Sequence, residues 1–303
     1  MSLVSFMGAV EIGLIFALVA LGVWISFRVL NFPDLTADGS FPLGGAVAAV
    51  LIVAGYNPWI ACLAAFATGA LAGLLTSWLH VSLGILQLLA SILTMIALYS
   101  INLRIMDAPN VSLLGETTVF TPFVSDENSY WMQPLILLGI VLVVKGLLDW
   151  FFASQIGLAL RATGANARMA CAQGIATGRY TMAGMALSNA LIALAGALYV
   201  QTQGGADISM GIGTIVVGLA AVIIGETLLP SRRMLIVTLA VVMGAVLYRL
   251  FITLALEADF IGLQAQDLNL ITAVLVGVAL VLPKIKAKLF RKPSPVKTGG
   301  HAS

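Results

Sequence analysis

"NFPDLTADGSFPLGG", residues 31–45, is the stretch on which the fold turns. It carries two carboxylates, two prolines and three glycines, yet apolar sequence runs up to it on one side and away from it on the other. Proline locks its own φ and removes a hydrogen-bond donor, so regular helix cannot pass smoothly through the segment. Irregular backbone at membrane depth is tolerated only where protein or a water-filled cavity surrounds it. The stretch therefore predicts a broken or half-helical element over residues 31–56, enclosed by other helices.

The flanking chain establishes the membrane setting. Of 303 residues, 60% are hydrophobic and 9% charged, with a mean hydropathy of +1.06. Soluble domains carry about 25% charged residues. A bilayer core needs about 20 apolar residues per helical span, and long unbroken apolar runs are unlike the short alternating segments of a transmembrane barrel. A net charge of +2, with no basic soluble domain, gives no sign of nucleic-acid binding. Cys62 and Cys171 have no metal-ligand spacing and form no disulfide framework, and the two histidines, His80 and His301, suggest neither catalysis nor a metal site. Residues 2–29 lack a basic leader and are too long for a signal peptide, so they are read as a retained first span.

Apolar runs fall near 4–29, 41–56, 58–80, 83–104, 134–154, 181–202, 209–229, 234–255 and 268–284. They predict an all-α polytopic membrane protein of about 8–10 transmembrane helices, with one transmembrane domain over 1–284 and a basic, disordered tail over 285–303. Arg161, Arg168 and Arg179 share one loop, Arg232 and Arg233 another, and six further Lys or Arg residues lie between 284 and 297. Two crossings separate successive groups, so all three face one side, taken as cytoplasmic with the C-terminus. The tail is placed to touch anionic membrane lipid, although the positive-inside bias alone accounts for its charge. The acids Asp107, Glu116, Asp126, Glu127, Asp207, Glu257, Asp259 and Asp267 fall opposite. The largest loop on that side, 105–133, is too short to be a receptor.

Two stretches carry candidate chemistry. The first is "GLALRATGANARMACAQGIATGRY", residues 157–180, long enough for two short helices and a turn, with Gly164 and Asn166 as punctuation. It reads either as a helical element built to enter a groove on another protein or as an ordinary positive-inside loop. The second is the opening stretch. Intramembrane carboxylates are functional candidates by default, so Asp34, Thr36, Asp38 and Ser40 are candidates to line a path. Alternatively, Asp38 or Ser40 N-caps a half-helix beginning near Phe41. Gln87, Ser91 and Thr94 share one helical face, which suits a cavity wall or interhelical bonding. Glu11, Lys145 and Arg249 should face protein; Lys145 has the spacing to pair with Asp149.

The 157–180 loop and the following "MALSNALIALAGALY", residues 185–199, resemble the coupling loop and next helix of permeases in the branched-chain amino acid and ribose family of bacterial ABC importers. The matching positions are Gly157, Leu160, Arg161, Ala162, Gly164, Asn166, Ala170, Gly174, Ile175, Ser188, Ala195, Gly196, Ala197 and Leu198. Residues 13–49 resemble the family's first helix and the break opening its second, in a form similar to a branch labelled uncharacterised or tryptophan/tyrosine transport. Gly225–Glu226 departs from a Gly-Gly pair common in the family, and no Walker motif occurs.

The resemblance implies a type II importer-like fold in the bacterial inner membrane. It implies a separate cytoplasmic ATPase holding ATP-Mg, a periplasmic or lipid-anchored substrate-binding protein, and a second permease copy. This chain would hold no cofactor and catalyse nothing, with Gly157, Arg161, Ala162, Gly164, Asn166, Ala170 and Gly174 in the coupling element. The expected cargo is a small polar solute, foremost an amino acid, with aromatic ones included; a sugar or nucleoside is the alternative. Two other classes compete. An ion-coupled secondary transporter should show inverted repeats, and no convincing one is found. An intramembrane enzyme would need a nucleophile and base or a metal set; Asp34 and Asp38 offer at most an acid pair.

Overall fold

The computed structural model describes residues 3–123, 129–231 and 233–256, together with Gly277. The helices are α1 (Leu3–Trp24), α2 (Ala37–Val53), α3 (Pro58–Leu83), α4 (Gln87–Met106), α5 (Ser129–Ala153), α6 (Gln155–Ala165), α7 (Ala167–Ala172), α8 (Thr177–Gln203), α9 (Thr214–Leu228) and α10 (Met234–Leu256). Seven helices among the described residues are long and apolar enough to cross a membrane, and α2, at 17 residues, is the shorter eighth. The chain is an all-α polytopic membrane protein, and eight of the nine expected apolar runs are helical. The run 268–284 apart from Gly277, the tail, Arg232 and the acids at 126, 127, 257, 259 and 267 lie outside the described residues.

Two helices are enclosed on nearly every side. From Gly13 to Trp24, α1 buries all but one residue, and from Ser188 to Leu198 α8 likewise buries all but one. A helix apolar all round must be surrounded. Around α8 pack α2 and α3, with α4 outside α2; around α1 pack α5, α9 and α10; α1 and α8 then join the halves. In contrast, α4 buries one stripe of Ala90, Ser91, Thr94, Leu98, Asn102 and Met106 and exposes Leu89, Leu93 and Ile96.

Small residues let these helices touch backbone to backbone, the usual means of association where lipid removes the hydrophobic driving force. On α3, Gly69 and Gly73 stand four apart, and a Cβ at either would lie 2.5 and 2.2 Å from the carbonyl oxygens of Asn189 and Met185. On α2, a Cβ at Gly44 would lie 1.9 Å from the Ala193 carbonyl. The central α8 is thus seated in grooves made by missing side chains.

One feature departs from a purely helical reading. Strand β1 (Asn110–Ser112) pairs antiparallel with β2 (Gly205–Asp207), Val111 facing Ala206. The Gln201 side chain accepts a bond from the Val119 N–H at 2.9 Å, fastening the same loop to the end of α8. The segment after α4 is therefore a structured cover over that end of the bundle.

Candidate functional site

The break begins where α1 loosens into a five-residue π turn, Ile25–Val29. The chain then reverses through Asn31, whose φ of +53° is left-handed, a conformation asparagine tolerates better than most residues. Phe32 meets the His80 ring edge-on at 5.4 Å, and Thr36 meets Thr76 one turn further along α3, hydroxyl to hydroxyl at 2.8 Å. Residues 32–36 therefore climb along the last turns of α3 before α2 starts.

At the top of that climb is a closed polar network. The Asp34 carboxylate accepts from its own chain, at the Thr36 N–H (2.9 Å), and from the Asn189 side-chain amide of α8 (2.8 Å). The Asn189 side-chain oxygen, Oδ1, in turn accepts from the Ser40 hydroxyl at 2.7 Å. Asp34, Thr36 and Ser40 are each at most 1% exposed. A buried carboxylate survives only with such partners. Beside the network, Ser188 donates to the Gly22 carbonyl at 2.7 Å, and the Asn102 amide donates to the Gly39 carbonyl at 3.2 Å while its own oxygen stays unpaired.

Asp38 does something different. Its two oxygens accept the N–H groups of Ile215 (2.8 Å) and Gly213 (3.3 Å), so it caps α9 from another helix. The expected cap on α2 by Asp38 or Ser40 is therefore corrected. Helix α2 starts at Ala37, four residues before Phe41, because the Asp34–Thr36 turn opens it, and both residues already lie inside its first turns. Pro42 removes the bond that the Asp38 carbonyl would accept, and Gly211 packs against that carbonyl. Asp34 and Asp38 take partners on different helices.

The other candidates on α4 stand apart from the carboxylates. Ser91 and Thr94 are buried and return their hydroxyls to the carbonyls of Leu88 and Ala90. Gln87 is half-buried at the start of the helix, 3.5 Å from the His80 ring. Asn189 and Asn102 were missed by sequence reasoning. The signal available for Asn189 was its polarity within an otherwise apolar helix beside Ser188.

The 157–180 stretch folds as two short helices joined by a sharp bend. Ser154 caps α6 through the Gly157 N–H, and Asn166 caps α7 through the Met169 N–H at 3.1 Å. Gly174, at φ +82°, closes α7: its N–H reaches the Cys171 carbonyl while that of Ile175 reaches Ala170. This is the glycine-terminated helix end expected of a left-handed residue. A Cβ on Gly164 would lie 1.7 Å from the Val29 carbonyl, so α6 rests directly on the π turn of α1. Leu160 and Ala170 are buried; Arg161 and Ala162 are half-buried; Asn166, Arg168, Met169 and Cys171 form an exposed rim.

Charged residues left open by the sequence find partners. Glu226 pairs with Arg28, joining the ends of α9 and α1. Lys145 pairs with Asp149, which also accepts from the Thr238 hydroxyl at 2.6 Å. Glu11 is half-buried on α1, and the half-buried Arg249 of α10 has its Nε unpaired.

Comparison with known proteins fits this architecture. The family described as the permease component of branched-chain amino acid transport systems matches residues 6–282. A protein of Clostridioides difficile named as a tyrosine transport system permease is 38% identical over 92% of this chain and 94% of its own length. An uncharacterized protein of Rickettsia prowazekii is 35% identical over 90% of this chain and 95% of its own. No solved structure matches. The chain belongs to this permease family: it is a multi-pass membrane component of a transport system.

Proposed function

We propose that the chain forms the translocation path of a binding-protein-dependent ABC importer for an amino acid, with an aromatic amino acid as the first substrate to try. The observation that carries this reading is the relative named for tyrosine transport, similar over nearly the full length of both chains. In this reading residues 1–284 are one permease domain in a bacterial inner membrane, with the C-terminus cytoplasmic. Two copies associate, a cytoplasmic ATPase binds ATP-Mg, and a periplasmic or lipid-anchored receptor delivers substrate.

The α6–α7 arm is the proposed coupling element. Its fixed parts support a rigid lever: Gly157 and Gly164 at close approaches, Leu160 and Ala170 buried, Asn166 and Gly174 at the ends of α7. Arg161 and Ala162 lie on its inner side, and the rim at Arg168 and Met169 is the surface offered to the ATPase. Because α6 rests on the end of α1, a push on the arm reaches the start of the break within a few residues. The seam of Asp34, Thr36 and Ser40 with Asn189 is the proposed path, and Ser91 and Gln87 on α4 are proposed for a separate part of its wall. Asp38 holds α9 to α2 at its edge. Transport requires the seam to open, with ATP-driven closure of the ATPases biasing two arrangements.

The test is co-expression with the genetically adjacent ATPase and receptor, reconstitution in lipid, and ATPase assay. Stimulation by tyrosine or another aromatic amino acid is expected only with receptor present, and is lost in Met169→Glu. A folded chain that recruits no ATPase and still transports would overturn the reading in favour of a secondary transporter.

A further inference from the structure

Where α6 meets the bundle, two adjoining clefts share Leu158, Arg161 and Met234. The larger, about 640 Å³, lies between α5, α6 and the start of α10, with Trp150, Phe152 and Leu235 as its apolar wall, Arg161 and Arg233 as its cations, and one carboxylate, Asp149, already held by Lys145 and Thr238. The smaller, about 470 Å³, continues past Arg161 to Trp24 and Arg28.

The charges around these clefts do not balance. Arg28 is matched by Glu226 and Lys145 by Asp149. Among the described residues, Arg161 and Arg233 have no carboxylate within ion-pair distance. Two guanidinium groups thus lie uncompensated next to an exposed apolar wall, in which Trp150 is 76% and Leu235 62% exposed. A soluble anion would satisfy the arginines and leave that wall bare. An acidic protein surface would do the same, and the outward rim of the arm, at Arg168 and Met169, is elsewhere. The pairing of a cationic head site with an apolar flank fits an amphiphile. Guanidinium forks take phosphate oxygens in pairs, basic pockets between helices receive anionic head groups, and tryptophan sits at the membrane interface.

We propose that this cleft binds an anionic phospholipid, its phosphate held by Arg161 and Arg233 and an acyl chain laid against Trp150 and Leu235. The bound lipid braces α6 against α5 and α10. The inference needs only that the chain spans a membrane and does not depend on the ATPase reading.

The test uses the full chain reconstituted in mixed phosphatidylethanolamine and phosphatidylglycerol vesicles, extracted in mild detergent and weighed by native mass spectrometry. Wild type should retain phosphatidylglycerol above its share of the vesicle, and each arginine removed should lower that enrichment about fivefold. The pair Arg161→Gln and Arg233→Gln abolishes it, Arg168→Gln leaves it unchanged, and Trp150→Ala lowers it. Arg161→Lys with Arg233→Lys keeps charge and should fall between wild type and the glutamine pair, which decides the matter if that pair fails to fold. Equal retention of both lipids by wild type, or an equal loss in Arg168→Gln, would overturn the site. So would unchanged phosphatidylglycerol retention in the glutamine pair together with lost ATPase co-purification, which would give the cleft to a protein partner.

Discussion

Asp38 and Asp34 are four residues apart and each uses both carboxylate oxygens, but for different partners. Asp38 serves two N–H groups of α9, a capping role worth about 1 kcal/mol in typical helices. Asp38→Ala should therefore lower stability in detergent by about 1–2 kcal/mol, and Asp38→Asn, which keeps an acceptor oxygen, by less; thermal unfolding measures both. At Asp34 one oxygen serves the Thr36 N–H and the other the Asn189 amide, so asparagine keeps the first bond but turns its own NH2 toward a donor, and Asp34→Asn should cost about 1–3 kcal/mol of stability. If the carboxylate contacts substrate, as proposed, Asp34→Asn lowers transport at least about tenfold, a transition-state loss of about 1.4 kcal/mol. Normal transport by Asp34→Asn would remove its charge from the path. Asn189→Leu strands both Asp34 and Ser40, and should destabilise by several kcal/mol because buried polar groups lose their partners. That both aspartates would need partners inside the protein was legible from two carboxylates in an apolar chain. What each one touches was not, since Asn189 and Ile215 lie 155 and 177 residues away.

At the level of elements, length and hydropathy were enough to find the helices, because a lipid-facing span must satisfy all its backbone bonds internally. The α2 boundary was misplaced by four residues because an aspartate turn, not the prolines, decides where the helix starts. The β1–β2 ribbon was invisible for a different reason: two three-residue strands are too short to show a period. The glycines of the arm can be ranked in the same physical terms. Gly174 is required by conformation alone, since its φ of +82° suits glycine and strains any residue with a Cβ, so Gly174→Ala should cost about 1–2 kcal/mol locally. Gly164 is constrained by contact, since a methyl group there meets the Val29 carbonyl at 1.7 Å. Gly164→Ala should lift α6 off the π turn, and limited proteolysis should then cut between Ala153 and Gly174 much faster than in Gly174→Ala. Equal cutting of the two variants would mean that α6 is not held by that contact.

For the whole molecule, the two native cysteines provide a direct measure of sidedness. Cys171 is exposed on α7, whereas Cys62 is buried in α3 and meets the Gln201 amide. Arg161, Arg168 and Arg179 flank Cys171 in sequence, and the positive-inside bias predicts that this end faces the cytoplasm. A membrane-impermeant maleimide should therefore leave intact cells unlabelled, label Cys171 in inverted vesicles, and reach Cys62 only after denaturation. Leu114, 87% exposed beyond the β1–β2 ribbon, is on the opposite end of the bundle, so Leu114→Cys in a Cys171→Ser background should label from outside. Bound ATPase should slow the reaction at Cys171 and leave that at Leu114→Cys unchanged, because only the α6–α7 rim would be covered. Labelling of Cys171 in intact cells would invert the chain and place the arm where no ATPase could reach it. A correct orientation with no protection by the ATPase would keep the topology and move the docking surface away from α7.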